Sequence, residues 1–261
     1  MPLCLIDGDI AAYRAAAVKS AGMEDEDGTP GPPEFLHPGI ASHIAISIVE
    51  EWMRKAACTE CIVALTGNGN WRKHIMPTYK ANRAQQAKPP HLGAIKAALC
   101  DRFPNRVVAL LEADDVLGVL ATRPKYADAI IVSPDKDLLT IPGRHLNPLK
   151  ANGVVVMTEL EADYRWMLQT LMGDDSDGYT GIPRVGPKKA AGILQGLRTL
   201  PAMWRAVVAA YRAAKLSEEA ALQTARVARI LRDCDYSRAT KELLLWHPTT
   251  PQRLALKDIT Q

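Results

Sequence analysis

The sequence predicts an α/β fold, with a mostly parallel central sheet flanked by helices and a helical region at the C-terminal end. Three observations carry that prediction. Four short apolar runs, at residues 3–6, 61–66, 107–111 and 129–132, are continuous rather than alternating, as strands buried on both faces are. Stretches with helical spacing separate them, so strand and helix alternate along the chain. Acids follow three of the four runs at once: Asp7, then Glu112 with Asp114 and Asp115, then Asp135 and Asp137. Ligands of parallel sheets bind beyond the carboxyl ends of the strands, so this pattern gathers carboxylates on one rim.

Taken in order, residues 3–6 are the first strand and the Ala-rich residues 9–19 a helix, with Asp9 its candidate cap. Residues 20–38 hold seven Gly and Pro positions and four consecutive acids, and read as a loop. Ile40, Ile44, Ile48 and Trp52 give residues 39–57 a helical face. The second strand, 61–66, ends at Gly67. A basic stretch runs from there to Pro89 and Pro90, followed by a helix over 91–101. The third strand is 107–111. The helix from 114 to 122 has acids in its first turn, where the helix dipole favours them. After the fourth strand, 129–132, a hairpin is expected at 145–157 around Asn152-Gly153. From Glu159 onward the pattern reads as almost wholly helical, with Trp166 and Trp204 as core residues.

The chain of 261 residues is 48% hydrophobic, enough for a sizeable core. No run approaches the length of a membrane span. Asp7 and Asp9 fall where an export signal would be apolar. The five cysteines suit a reduced, intracellular protein, and Cys58-x-x-Cys61 lacks the second pair a zinc site would need. A net charge of +3 excludes nothing, but its distribution is informative. Between Cys61 and Cys100 there is no acid, while Arg72, Lys73, Lys80, Arg83, Lys88 and Lys96 all lie there. Basic and acidic blocks kept apart in this way suit a polyanion steered toward a metal centre.

The stretch from Gly173 to Ala190 joins the two themes. Asp174, Asp175 and Asp177 offer carboxylate oxygens that suit a hard cation such as Mg²⁺. A Gly/Pro turn follows and enters a helix through Pro187, Lys188 and Lys189, a place where backbone N–H groups can meet a phosphate. Carboxylates this crowded raise one another's pKa unless cations neutralise them.

Five segments, in order, resemble the flap endonuclease / 5′-nuclease family, and within it the small 5′→3′ exonucleases of short-tailed bacteriophages. They are Leu5-Ile6-Asp7-Gly8-Asp9; Trp71-Arg72 with Pro77-Thr78-Tyr79-Lys80-Ala81-Asn82-Arg83; Glu112-Ala113-Asp114-Asp115; Ser133-Pro134-Asp135-Lys136-Asp137; and Gly173-Asp174-x-x-Asp177 leading into Gly181-Ile182-Pro183-x-Val185-Gly186-Pro187-Lys188-Lys189-Ala190. The resemblance implies a PIN-like 5′-nuclease core over residues 1–165, with a basic arch at about 70–92. It implies a helical region over 166–261, with a helix–hairpin–helix element at about 173–195.

The implied activity is Mg²⁺-dependent 5′→3′ exonuclease action on duplex DNA by two metal ions, with Mn²⁺ as a substitute, and with flap endonuclease and RNase H-type activity in range. Asp7, Glu112 and Asp114 would hold one ion and Asp135, Asp137 and Asp177 the other, with Asp115 and Asp174 close by. Lys80, Arg83 and Arg72 would be the catalytic cations. Gly181, Val185, Gly186, Lys188 and Lys189 would grip duplex phosphates, Gly186 by a backbone conformation that other residues resist. Tyr13 or Tyr79 would stack on a terminal base. The implied partners are double-stranded DNA with a 5′ end or flap, and an RNA–DNA hybrid; a monomer in the host cytoplasm is expected.

One departure stands out. The family usually has an Asp just after the second strand, and here Gly67 occupies it, which predicts a weakened first metal site. Two other readings compete: a haloacid-dehalogenase-like phosphatase, from Asp7-x-Asp9 and Thr66, and a non-catalytic helix–hairpin–helix DNA-binding protein.

Overall fold

The computed structural model describes residues 2–20, 33–85 and 87–255. Most of the loop read at 20–38, including its acidic run, lies outside the described residues. The centre is a six-stranded sheet of β1 (Leu3–Asp7), β2 (Glu60–Thr66), β3 (Asn105–Val108), β4 (Ile130–Val132), β5 (Gly143–Leu146) and β6 (Val154–Met157). Its order is β3-β2-β1-β4-β5-β6. All neighbours are parallel except β5 and β6, which form the expected hairpin, with Gly153 at φ +68° in its loop. The chain builds outward from β1 on one side, then crosses to β4 on the other. Such a reversal opens a crevice at the carboxyl ends of β1 and β4.

Period-two alternation sends β1 side chains to two cores. On one face Cys4 and Ile6 join Val63, Leu65 and Val132 under three helices, α1 (Gly8–Ala16), α2 (Pro38–Lys55) and α3 (Leu92–Arg102). Alanines at 11, 12, 15, 41 and 45 let α1 and α2 approach closely. Cys58 and Cys61 are buried in this layer and all five thiols are free. On the other face Leu5, Ile62 and Ile131 meet Val116, Leu117 and Leu120 of α4 (Ala113–Ala121).

A third core joins α5 (Glu159–Met172), α6 (Pro187–Leu194), α7 (Leu200–Ala213) and α8 (Glu218–Ala228) around Trp166, Met203, Trp204 and Tyr211. Thr158 and Glu161 close a capping box at the start of α5. No described helix is long and apolar enough to cross a membrane.

Several boundaries differ from the sequence reading. The first helix stops at Ala16, and Lys19–Ser20 pairs instead with Glu34–Phe35. The third strand ends at Val108, because Leu110 turns through φ +67° to carry Leu111 into the core. The C-terminal region is not wholly helical. Tyr236–Ser237, Glu242–Leu245 and Gln252–Ala255 form a small antiparallel sheet, and Leu243 and Leu245 cover α4.

Candidate active site

A cleft of about 1020 Å³ opens at the carboxyl ends of β1 and β4. Asp7, Asp9, Glu112, Asp114, Asp135, Asp137 and Asp177 line it, as do Arg72, Lys73, Lys80, Arg83, Lys88 and Lys96. Acids from four separated segments therefore share one space, and so do the bases of the acid-free stretch.

The sheet supplies the first acids. Asp7 ends β1 and also caps α1, accepting a bond from Ile10 N at 3.1 Å. Its other oxygen accepts from Ser133 Oγ at 2.8 Å, and that hydroxyl accepts from Asp135 N at 3.0 Å. One serine thus ties the ends of β1 and β4 together. Asp135 accepts from Asp137 N at 2.8 Å, and Asp137 from Gln169 Nε2 of α5 at 2.8 Å. Asp9 is not the cap. It accepts from Thr66 N at 3.2 Å and pairs with Lys96 at 2.8 Å, fastening α1 to β2 and α3.

The carboxylates fall into two electrostatic classes. Asp7, 1% exposed, is pushed up to about 7 by burial, with Asp9 and Asp135 adding to it. Burial, and then Asp7, Glu112 and Asp135, push Asp114 well above the ordinary carboxylate range. Asp137 rises to about 6 through burial and Asp135. Glu112 behaves oppositely: burial alone would raise it, but Arg72 and Lys80 outweigh burial and hold it at about 2.

Cations and a phenol crowd Glu112 and Asp177. Lys80 Nζ lies 2.6 Å from Glu112 Oε1 and 3.5 Å from Asp177 Oδ2, and Arg83 pairs with Asp177. Tyr79 Oη lies 2.8 Å from Glu112 Oε2 and 3.2 Å from Asp177 Oδ2. The backbone holds this arrangement: Lys80 N donates to Asp177 O at 2.7 Å. Gly178, at φ +73°, lets the acidic hairpin lie against the Thr78 carbonyl, where a Cβ would crowd it. As the side chains stand, no three His, Cys, Asp or Glu among the described residues close on a common point.

Three expected site residues are committed to protein partners. Arg72 is 2% exposed, and its guanidinium is fully committed. Nε donates to Val227 O, Nη1 to Glu112 Oε2 and Asp115 Oδ2, and Nη2 to Asp115 Oδ1 and Arg229 O. An arginine has five N–H donors, so none remains for a phosphate. Asp115 is fully buried, bonded also to Trp71 Nε1 at 3.0 Å, and does not line the cleft. Asp174 bends over its own turn, accepting from Ser176 N at 2.8 Å and Ser176 Oγ at 2.6 Å.

Tyr79 is likewise unavailable for stacking on a base, being 3% exposed and stacked on Tyr179 with centroids 6.4 Å apart; Tyr13 is 52% exposed at the cleft wall. Sequence reasoning gave no role to Ser133, to Gln169 or to the hydroxyl of Tyr79, whose partners lie far away in the chain.

The turn into α6 stands outside the cleft. Gly181 packs its backbone against Gly173, where a Cβ on either would overlap the other strand. Gly186 caps α6 with φ −96° and open space around it, so its conformation is ordinary; the left-handed residue of the turn is Arg184, at φ 63°. Lys188 and Lys189 are exposed in the first turn of α6, and Val185 is half-buried against the core of α5–α8. Gly67 has a structural reason. A Cβ there would overlap the Val108 carbonyl, and the loop is further tied by Gly67 N to Leu111 O at 3.0 Å. The aspartate expected at this position has no room.

Comparison with known proteins gives a consistent picture. The family described as 5′-3′ exonuclease, N-terminal resolvase-like domain, matches residues 2–167. The exonuclease of Escherichia phage T7 is 30% identical, over 94% of this chain and 93% of its own. The flap endonuclease Xni of Shewanella oneidensis is 32% identical, over 62% of this chain and 71% of its own. The structure of the bacteriophage T5 flap endonuclease in a pseudo-enzyme–product complex with DNA and metal ions has the same fold. Its TM-score is 0.64, at 15% identity, covering 87% of this chain and 89% of that one.

Proposed function

Because the chain belongs to the 5′-3′ exonuclease family, we propose that it removes nucleotides from 5′ ends of duplex DNA by divalent-cation catalysis at the acidic end of the cleft. The carrying observation is the set Asp7, Asp114, Asp135 and Asp137. These carboxylates come from distant segments to line one cleft, and burial and mutual repulsion raise three of them. Their donors are all carboxylate oxygens, the chemistry that suits Mg²⁺ or Mn²⁺. The donor set therefore fits the group.

Asp7, Asp114 and Glu112 would hold one ion, and Asp135, Asp137 and Asp177 the other. Bound there, the ions would supply Lewis-acid stabilisation and an acidified water. The chain's own residues do the remaining work. Ser133 and Gln169 orient Asp7 and Asp137. Lys80 and Arg83, which sit on Glu112 and Asp177 here, would be free to face the non-bridging oxygens of the scissile phosphate were those carboxylates to hold a cation. Arg72 supports Glu112 from behind rather than touching substrate.

The exposed first turn of α6, with Lys188, Lys189 and no acid, is proposed to take a duplex phosphate beside Gly181, Val185 and Gly186, as a helix–hairpin–helix element would. The separate core of α5–α8 supports reading that helical stretch as a second region, one that steadies Asp137 through Gln169, whereas Leu231, Leu243 and Leu245 beyond it pack in the core shared with α4. Action on RNA–DNA hybrids and a monomeric state belong to the same proposal. The family match favours it over the phosphatase reading, and the retained carboxylates favour it over a non-catalytic binder.

The test uses duplex DNA labelled at the 5′ or the 3′ end, with Mg²⁺ or with EDTA. Small products from the 5′ label alone, abolished by EDTA and by Asp135→Asn, are expected. Band shifts without cleavage, or phosphate release from a small phosphoester instead, would overturn the proposal.

A further inference from the structure

The family match ends at residue 167, yet Val227, Ala228 and Ile230 line the cleft. After α8 the chain runs extended along α4. Leu231 N donates to Asp115 Oδ1 at 3.2 Å, and Leu231 O lies so close to Gly118 that a Cβ there would overlap it. Asp233 N donates to Thr122 Oγ1 at 2.8 Å, and Asp233 pairs with Arg123 at 2.9 Å. Asp235 closes the segment, accepting from Arg229 Nε and Arg232 N, both at 2.8 Å. Arg229 in turn lies over the Trp166 ring, 4.4 Å from its centroid.

We infer that residues 227–235 are a strap that positions Glu112 through Arg72. The guanidinium is a rigid planar fork, so its acceptors fix its plane. Two of those acceptors are the strap carbonyls of Val227 and Arg229, and two are the oxygens of Asp115, which the strap also holds through Leu231 N. Only then does Nη1 meet Glu112 Oε2, at 3.0 Å. A displaced strap turns the plane and takes the inner donor away from Glu112. Asp115, Arg229 and Asp235 are then positioning residues, remote from the reacting atoms. The nuclease domain named by the family match is incomplete without a segment some sixty residues further on.

This inference rests on Glu112 holding a cation, so the experiment separates the two. Mn²⁺ alone is titrated into the full chain by electron paramagnetic resonance, with duplex affinity measured in EDTA and kcat and KM measured with Mg²⁺. Asp235→Asn, far from the cleft, is expected to weaken Mn²⁺ about 10-fold and to lower kcat similarly, as loss of outer support for a ligand does, with KM and duplex affinity unchanged. Asp235→Glu should recover part of the loss. Asp233→Asn carries the same test, with the same outcomes, if Asp235→Asn does not fold. Glu112→Gln separates the readings. If it weakens Mn²⁺ while the strap variants bind as wild type does, the strap inference is overturned and the nuclease proposal stands. If Glu112→Gln leaves Mn²⁺ binding unchanged, Glu112 is no ligand and the strap inference falls, while the nuclease proposal is decided by its own cleavage assay.

Discussion

Replacing Asp7 by Asn should stabilise the metal-free protein while abolishing cleavage. Asp7 is 1% exposed, and its pKa is pushed from 3.8 to about 7 by burial and by Asp9 and Asp135. A folded-state pKa above the unfolded one favours folding fully only below the unfolded value, and the benefit is lost as pH rises through the folded value. Between those values the penalty grows to roughly 4 kcal/mol, a ceiling set by the gap between the two. Asn keeps an oxygen to accept from Ile10 N, and the Ser133 hydroxyl can reverse to accept from its amide. Allowing for imperfect replacement, a gain of about 1–3 kcal/mol remains above neutral pH, or several degrees in Tm for a chain of this size. The assay is thermal unfolding in EDTA at about pH 8 and about pH 5, the latter below the folded-state pKa. The gain should appear at the higher pH and shrink at the lower. Equal destabilisation at both would show that Asp7 is an ordinary helix cap, and the electrostatic reasoning would fail.

The same linkage predicts that Mg²⁺ raises the Tm of wild type more at about pH 8 than at about pH 5, since protons and cations compete for the same oxygens; an equal shift would contradict it. Gly67→Asp should not strengthen metal binding. The overlap with the Val108 carbonyl should cost about 2–4 kcal/mol in urea unfolding, and an undiminished midpoint would refute the steric account. Lys80→Met should lower kcat by about 100-fold or more, with duplex affinity changed little, as loss of transition-state charge stabilisation does; a loss confined to affinity would make Lys80 a general phosphate contact. Tyr79→Phe removes the hydroxyl between Glu112 and Asp177 and should weaken Mn²⁺ by about 10-fold without a fall in duplex affinity.

How much was legible in the sequence depended on distance along the chain. The strands at 3–7, 60–66 and 130–132 were readable because they are buried on both faces, and the motif acids because they follow strand or loop signals directly. The run at 107–111 misled, since its apolar continuity conceals a left-handed turn at Leu110 that serves the core rather than the sheet. Glu242–Leu245 was missed because Leu243, Leu244 and Leu245 run on without a period of two, and only the fold shows that 243 and 245 are the buried pair. Arg72 looked catalytic from its place in the family's basic motif. Nothing local says that its acceptors include the carbonyls of Val227 and Arg229. Gly67 looked like a lost ligand, and its cause, the Val108 backbone, lies forty-one residues away.

The most direct measurement is a crystal soaked in Mn²⁺ and read by anomalous scattering. The account predicts density between Asp7, Glu112 and Asp114, with a second peak between Asp135, Asp137 and Asp177, and Lys80 drawn off Glu112. Ordered Mn²⁺ bound only away from the cleft, in protein that still degrades DNA, would contradict it.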